Sequence, residues 1–135
     1  MIAATTLRLV LTTPEQTLRD EEIASLVVPM FDGQAGIRPG HAAIVGRLGS
    51  GRLTMTPAGG GKPEEYFVDG GFVQVKGQVV SVLTGRALTL DQIDAEAAKT
   101  ELDEASTASA VGDEAIERRQ IAQDRARRML ALARR

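Results

Sequence analysis

Cysteine is absent from the 135-residue chain, and the sequence contains a single histidine. Such a chain cannot form a disulfide, a thiolate metal site, a thiol nucleophile or a cluster of several histidines around a metal. Aromatic residues make up only 3% of the sequence, with no tryptophan and one tyrosine, which argues against a surface that stacks nucleic-acid bases. These absences exclude much enzyme chemistry, and we predict no metal, no cofactor and no nucleic-acid partner.

Long hydrophobic runs are also missing. No stretch approaches the roughly 18 uninterrupted apolar residues that a membrane-spanning helix requires. The start, Met1 to Val10, carries Arg8 within an alternating pattern instead of the hydrophobic core of a signal peptide. We therefore expect a soluble, cytosol-side protein without direct membrane insertion, and the absence of a transit peptide favours a bacterial source. The apolar share of 43% is sufficient for a core.

Short alternating or apolar runs fill the first 88 residues. The predicted strands are Thr6–Thr12, Ile23–Met30, Ala42–Leu48, Arg52–Thr56, Tyr66–Val68, Phe72–Lys76 and Val79–Thr84. Many short strands with turn residues between them indicate an antiparallel β-sandwich or barrel, not a parallel α/β sheet.

Glycine and proline mark the predicted turns between these strands. The turns lie at Gly36, Pro39-Gly40, Gly49-Ser50-Gly51, Asp69-Gly70-Gly71 and Gly77-Gln78. In the last of these, glycine comes first, as a type II′ hairpin requires.

Alanine and charged residues dominate from Asp91 onward, which predicts helices. Asp91 is the predicted N-cap of the first helix, and residues 106–112 form the break. The second helix begins near Asp113 and continues through Arg134 and Arg135. We therefore predict an N-terminal antiparallel β-sandwich over residues 1–88 and a C-terminal two-helix antiparallel hairpin over residues 89–135.

The two predicted helices carry opposite charge. Residues 91–104 contain six acids and one lysine, a net charge of −5, whereas residues 113–135 contain seven arginines and four acids, a net charge of +3. Their small apolar side chains bury little area, so we expect a hairpin that can open. Three interpretations of the basic helix follow: its arginines are simply solvated, they bind an acidic protein surface, or the helix lies at a membrane interface. The last is disfavoured because the apolar face of the helix is mostly alanine.

Two features that could carry chemistry lack the necessary partners. His41 has no Ser, Asp or Cys arrangement around it in the sequence, so we interpret it as a turn-stabilising or interface residue and not as a general base. The run Gly59-Gly60-Gly61-Lys62 lacks the first glycine of a phosphate-binding loop, and Pro63 stands where a Ser or Thr would bind magnesium. We therefore predict that the chain is not an enzyme.

Two glycine motifs resemble those of a known family. The pattern G-x-x-G-I-x-P-G-H-A at Gly33–Ala42, followed by V-x-G-G-F-x-x-V at Val68–Val75, resembles the epsilon subunit of the F-type ATP synthase. The resemblance implies a non-catalytic subunit of the central stalk, the rotor that couples ion flow through the membrane c-ring to ATP synthesis. It implies a peripheral position on the cytoplasmic face of the bacterial inner membrane. The resemblance implies coupling to proton translocation, while the residues themselves do not distinguish a proton from sodium as the driving ion.

The resemblance also implies partners and site residues. The β-sandwich would bind the gamma subunit and the c-subunit ring, and Gln34 stands where several relatives have an acid. The c-ring contacts would be Phe31, Asp32, Gly33, Gln34 and His41. The helices would reach the alpha/beta catalytic hexamer, where arginines meet an acidic beta-subunit loop and slow ATP hydrolysis. These arginines would be Arg118, Arg119, Arg125, Arg127 and Arg128.

Some members of this family bind ATP through an I/L-D-x-x-R-A motif. Ile93 and Asp94 match its first two positions, but Ala97 replaces the arginine that would pair with a phosphate. This replacement argues against nucleotide sensing.

Two other classes of function are alternatives at this point. A free-standing β-sandwich protein-binding module with a basic hairpin fits the same pattern, and stable co-purification with gamma would separate it from the stalk subunit. An independent hydrolase would show activity as an isolated chain, and the missing nucleophile–base pair disfavours it.

Overall fold

A computed structural model describes residues 6–108 and 110–133 of the chain. The chain divides into two compact units, Met1–Ala87 and Leu88–Arg135. The first unit is built from β-strands and the second from helices, so the predicted fold class is confirmed. Arg134 and Arg135, predicted to end the second helix, lie outside the described residues.

Seven strands form one sheet. They are β1 (Leu7–Thr12), β2 (Thr17–Met30), β3 (Gly33–Ile37), β4 (Ile44–Pro57), β5 (Glu64–Lys76), β6 (Val79–Leu83) and β7 (Ala87–Thr89). Their order is β1-β6-β5-β4-β2-β3, β7 pairs with β5, and β1 also pairs with β2. The β1–β2 pairing closes five strands into a ring, which leaves β3 at an edge.

One strand pair departs from the predicted antiparallel arrangement. β1 pairs with β6 in parallel, with Leu9 opposite Val80, whereas the pairings β1–β2, β2–β3, β2–β4, β4–β5 and β5–β6 are antiparallel. Because β1 and β6 are distant in the sequence, nothing in the local pattern of either strand indicates this contact.

The core lies inside the ring, because apolar residues at alternating positions along the strands point inward. In β1, Leu7, Leu9 and Leu11 are fully buried, and the intervening residues face outward. Phe67 of β5 is also fully buried, but it is not part of this inward-facing cluster. Burial of one such side chain stabilises the fold by about 1.5–3 kcal/mol. The packed cluster continues through the other strands with Ile23, Leu26, Val28, Ile37, Leu48, Leu53, Met55, Tyr66, Val68, Val73, Val75, Val80 and Val82.

Three strands are longer than predicted, and two of them continue through glycines that were predicted to form turns. β4 continues through Gly49-Ser50-Gly51, and β5 continues through Asp69-Gly70-Gly71, so the turns predicted at both places are wrong. The two segments lie opposite each other in the β4–β5 register. β2 likewise includes residues 17–22, which the sequence analysis left outside its strand.

Gly71 allows an especially close approach between strands. Its φ of +110° is a conformation that L side chains rarely adopt. A Cβ at this position would overlap the carbonyl oxygen of Leu83 and lie 2.9 Å from both Leu83 C and Thr84 Cα. Glycine at this position therefore lets β5 lie against the end of β6.

The predicted reversal at Gly36 is wrong, because Gly36 lies within β3. The chain reverses earlier, at Phe31 and Asp32, between the paired residues Met30 and Gly33. The Pro39-Gly40 turn is confirmed, with Gly40 at a φ of +88°.

The predicted type II′ turn between β5 and β6 is also confirmed. Gly77 has a φ of +61°, and no non-glycine residue has a positive φ in the described part of the chain, so Gln78 has a negative φ. A positive φ at the first loop residue alone distinguishes type II′ from type I′.

The first α-helix begins three residues later than predicted. A 3₁₀ turn, Leu90–Gln92, contains Asp91, and α1 runs from Ala95 to Thr107. Asp94 is the N-cap, because its Oδ1 accepts hydrogen bonds from the backbone N–H groups of Glu96 and Ala97 at 2.9 and 3.3 Å. The prediction of Asp91 as the cap is therefore wrong. The break is confirmed, since α2 occupies Asp113–Ala133.

The two helices pack through small and apolar side chains. Ala98 of α1 is buried, as are Ala126, Met129, Leu130 and Leu132 of α2. Gln123 Nε2 donates to Ser106 Oγ at 3.4 Å, so the end of α1 lies beside the middle of α2. The first turns of α2 therefore extend past α1.

Candidate protein-binding surfaces

The five residues assigned to the c-ring contact lie at and beyond the β2–β3 hairpin. Phe31 and Asp32 form its two-residue loop, Gly33 and Gln34 begin β3, and all four are exposed. His41 is half-buried in the turn after β3, where its backbone N–H donates to Arg38 O at 3.0 Å. Its Nδ1 lies 2.7 Å from the carbonyl oxygen of Ala42, so a protonated Nδ1 donates to that oxygen. The His41 ring is thus engaged with the backbone of its own turn.

Phe31 is held against the neighbouring strand. Its ring is 67% exposed, and the guanidinium carbon of Arg47 lies 4.7 Å from the ring centroid. The backbone N–H of Phe31 donates to Arg47 O at 2.9 Å. Because a cation over an aromatic face is attracted by the ring quadrupole, the two side chains fix each other's position.

Arg47 lies in a row of exposed side chains that crosses three strands. Arg47 of β4 is directly opposite Phe72 of β5, and Phe72 is directly opposite Leu83 of β6. Directly opposite residues project from the same side of a sheet with Cβ atoms about 4.5–5.5 Å apart. Val45 lies on the same face two residues before Arg47 and is 73% exposed, while Phe72 and Leu83 are 55% and 53% exposed. We call these five residues the outer patch: Phe31, Val45, Arg47, Phe72 and Leu83.

Most of the outer patch was not predicted from the sequence. Phe72 and Leu83 do lie in predicted strands, and the alternation with buried Val73 and Val82 places both residues outward. Large apolar side chains at outward positions of neighbouring strands mark an interaction surface. That signal was available, but it required the strand pairing to show that the residues are neighbours.

The five arginines of α2 lie on several sides of the helix. At 100° per residue, Arg118 and Arg125 share one side, whereas Arg127 projects from another. Arg118 lies 4.0 Å from Glu114, and Arg127 lies 3.6 Å from Asp124. These exposed pairs contribute about 0.3–0.5 kcal/mol each. Arg119 is half-buried, and within the described ranges its Nε has no hydrogen-bond partner. The structure therefore does not bring the five arginines together as one basic stripe.

The two residues of the partial nucleotide motif build the start of α1. Ile93 is buried, and Asp94 caps the helix as described above. Their contacts in this structure are thus structural.

Polar contacts between strands stabilise the β unit away from the outer patch. Arg19 Nη2 lies 2.6 Å from Glu64 Oε2, and its Nε donates to the hydroxyl of Tyr66 at 2.6 Å. The hydrogen bond to Tyr66 is the main reason that the pKa of Arg19 is raised, while partial burial opposes it. Thr84 is buried; its hydroxyl accepts from Asp69 N–H at 3.2 Å and donates to Arg86 O at 3.1 Å.

The described residues contain neither a metal site nor a spanning helix. No group of three or more His, Cys, Asp or Glu side chains among them could hold a metal ion. None of the helices over residues 6–108 and 110–133 has the length and apolar character needed to cross a bilayer.

Comparison with known proteins points to one assembly. The family model for the ATP synthase, Delta/Epsilon chain, beta-sandwich domain matches residues 6–90. The chain is similar to the ATP synthase epsilon chain of Rhodopirellula baltica, with 48% identity over 99 residues, which cover 73% of this chain and 76% of the relative.

Two solved structures also contain similar chains. One is in the cryo-EM structure of the Euglena gracilis mitochondrial ATP synthase, OSCP/F1/c-ring in rotational state 1. It has a TM-score of 0.83 and 29% identity, over 97% of this chain and 83% of that chain. The other, in the central stalk/c-ring structure of the Tetrahymena thermophila mitochondrial ATP synthase, has a TM-score of 0.71. At 10% identity, over 98% of this chain and 99% of that chain, it supports the fold alone.

Proposed function

The chain belongs to the ATP synthase epsilon chain family, and from this premise we propose that it is a non-catalytic subunit of the central stalk of an F-type ATP synthase. In this role it turns with gamma and couples ion translocation through the c-ring, with the proton as the driving ion, to ATP synthesis. Its place is peripheral, at the cytoplasmic face of a bacterial inner membrane.

The observation that carries this proposal is the extent of the similarity. The family match covers the β unit, and a chain in an ATP synthase structure with F1 and the c-ring is 29% identical over nearly the whole length. The β unit and the helical hairpin are therefore both parts of a known subunit architecture.

We assign separate surfaces of the β unit to separate partners. The hairpin tip and the following turn are the proposed c-ring contact, through Phe31, Asp32, Gly33, Gln34 and His41. The outer patch is a different surface, because four of its five residues lie on the outward face of β4, β5 and β6. Its exposed apolar side chains suit a stable protein contact, and we assign it to gamma. Phe31 belongs to both surfaces and lies where they meet.

The C-terminal helices are proposed to regulate hydrolysis by the alpha/beta catalytic hexamer. The exposed or half-buried arginines of α2 would meet an acidic beta-subunit loop once the hairpin opens. Opening of the hairpin would favour Arg119 in particular, because its Nε is buried without a hydrogen-bond partner among the described residues, which is destabilising.

Reconstitution tests these assignments. The full chain is added to a catalytic hexamer containing gamma, and both its association with gamma and the rate of ATP hydrolysis are measured. Stable association supports the stalk role, whereas no association leaves a free-standing binding module.

The regulatory role needs a second comparison. Replacement of Arg118, Arg119, Arg125, Arg127 and Arg128 by alanine in the full chain should leave association with gamma unchanged and restore faster hydrolysis. Equal hydrolysis rates with both chains would show a coupling subunit without a brake.

A further inference from the structure

Arg47 is the centre of the outer patch, and its surroundings indicate what the partner must supply. We propose that Arg47 is the polar anchor of the contact with gamma, and that gamma presents to it a carboxylate surrounded by apolar side chains. This inference rests on the proposed function, because it takes gamma as the partner, and it goes further by stating the chemistry of the contact.

Three other arginines of the β unit pair with carboxylates of the same unit, whereas in the part of the chain that the structure describes Arg47 does not. Arg8 pairs with Asp20 at 2.7 Å, Arg19 with Glu64 at 2.6 Å and Arg52 with Glu65 at 3.5 Å. The first and third pairs join neighbouring strands, and the second joins β2 to β5. Across residues 6–108 and 110–133, no carboxylate lies within ion-pair distance of Arg47. The outer patch therefore presents a cation for which the described residues supply no carboxylate.

The guanidinium of Arg47 is already oriented for a partner. It stacks on Phe31, and the backbone hydrogen bond from Phe31 N–H to Arg47 O holds the two residues in register. Stacking uses the face of the guanidinium and leaves its N–H donors at the edge, where they match the two oxygens of a carboxylate. Because the side chain is held before binding, less conformational entropy is lost on association.

The apolar residues around Arg47 would exclude water from such a pair. Phe31 lies against the guanidinium, Val45 and Phe72 are neighbours of Arg47 on the same face, and Leu83 follows Phe72 on the next strand; all four are exposed in the free chain. Residues that bind most strongly in protein interfaces are typically aromatic residues or arginine inside a ring of contacts that exclude water. The patch thus fits a protein carboxylate within an apolar surface, and a highly charged partner would leave the apolar ring unmatched.

Binding of full-length variants to the gamma-containing hexamer tests the proposal. Arg47→Met keeps the apolar length of the side chain and removes the charge, and we expect the Kd to rise by at least about 30-fold. Arg47→Lys keeps the charge without the planar fork, so a loss of about 5–10-fold is expected. Phe31→Leu removes the stacking partner and should weaken binding by about 2–5-fold.

Arg52→Met is the matched control. Arg52 lies five residues further along β4 and is paired with Glu65 within its own sheet. Arg52→Met makes the same chemical change outside the outer patch. We expect its Kd to lie within about twofold of the wild-type value, because exposed ion pairs contribute little. Far-UV circular dichroism and urea unfolding would show that each variant is folded.

A double-mutant cycle identifies the carboxylate. Surface Asp and Glu residues of gamma are changed singly to Asn or Gln, and each variant is combined with Arg47→Met. For one gamma residue, the substitution should no longer change the Kd once Arg47 has been replaced. The Kd of that double variant should then differ by a factor of at least about 10 from the value expected if the two single effects were additive in free energy.

Each outcome decides between defined alternatives. Unchanged affinity of Arg47→Met, or strict additivity with every gamma acid, overturns the inference while the stalk role stands. Absence of binding by the wild-type chain overturns the proposed function itself. Loss of self-association in Arg47→Met, with gamma binding intact, would assign the outer patch to a second copy of the chain and also overturn the inference.

Discussion

Substitution of Gly71 by alanine should destabilise the β unit more than any other glycine-to-alanine change in its strands. The new Cβ would overlap Leu83 O and lie 2.9 Å from Leu83 C and Thr84 Cα, and these are backbone atoms that cannot rotate away. The strained φ costs about 1–3 kcal/mol. The forced backbone shift costs about 1–3 kcal/mol more. We therefore expect Gly71→Ala to lower the free energy of unfolding by about 2–6 kcal/mol.

Two matched substitutions separate the cost of the strained φ from the cost of the overlap with Leu83. Gly70 has a φ of +68° with open space around it, so Gly70→Ala reports the backbone strain alone, about 1–2 kcal/mol. Gly36 has neither a positive φ nor an atom within 4 Å of the added Cβ. Gly36→Ala should therefore leave stability unchanged or raise it by about 0.4–1 kcal/mol through the unfolded state.

Tyrosine fluorescence during urea unfolding measures these differences. Tyr66 is the sole tyrosine, no tryptophan obscures it, and it is buried in β5, so the signal reports the β unit and not the helices. At an m-value of about 1.5 kcal/mol/M, a loss of 3 kcal/mol lowers the midpoint by about 2 M urea. If Gly71→Ala and Gly36→Ala unfolded at the same midpoint, the reasoning from the close approach of Leu83 would be refuted.

Three further substitutions test contacts in both units. Asp94→Ala should destabilise α1 by about 0.5–2 kcal/mol because it removes the N-cap. Hydrogen exchange of the first α1 amides should become faster. If Asp91→Ala accelerated this exchange equally, the assignment of Asp94 as the cap would be contradicted. Tyr66→Phe removes the hydroxyl that accepts from Arg19 and should cost about 1–2 kcal/mol in urea unfolding followed by circular dichroism. Because the hydrogen bond to Tyr66 raises the already high pKa of Arg19, the guanidinium stays charged at both pH 6 and pH 9, so the cost should be equal at the two pH values. Thr84→Val keeps the shape and removes the buried hydroxyl, so a loss of about 1–3 kcal/mol is expected, and a neutral result would show that the hydroxyl is dispensable.

The general architecture could be predicted because the strands alternate strongly. Leu7, Leu9 and Leu11 specify one buried face of β1, and the shift to alanine and charge after residue 88 specifies the helices. The internal glycines could not be interpreted in this way. A glycine in a turn and a glycine at a bend within a strand have the same local sequence pattern, and only the strand pairing shows that Gly71 lies against Leu83.

The candidate sites could likewise be predicted only in part from the sequence. The exposed loop from Phe31 to Gln34 could be located from its motif, but the stacking of Phe31 on Arg47 joins residues on different elements. Two acids could have capped α1, and the 3₁₀ turn that contains Asp91 leaves Asp94 as the cap. Long-range pairing and the exact start of a helix depend on tertiary structure, which local patterns do not encode.

The parallel β1–β6 pair has a consequence for the order of folding. β1 can pair with β2 as soon as both strands exist, since Leu11 and Arg19 are close in the sequence, but Leu9 and Val80 are about seventy residues apart. Formation of such a distant contact slows folding. Until β6 reaches β1 during synthesis, the β unit is an open sheet with unprotected edges, which are prone to intermolecular pairing. Closure of the ring is therefore the step at which the nascent chain loses its tendency to aggregate.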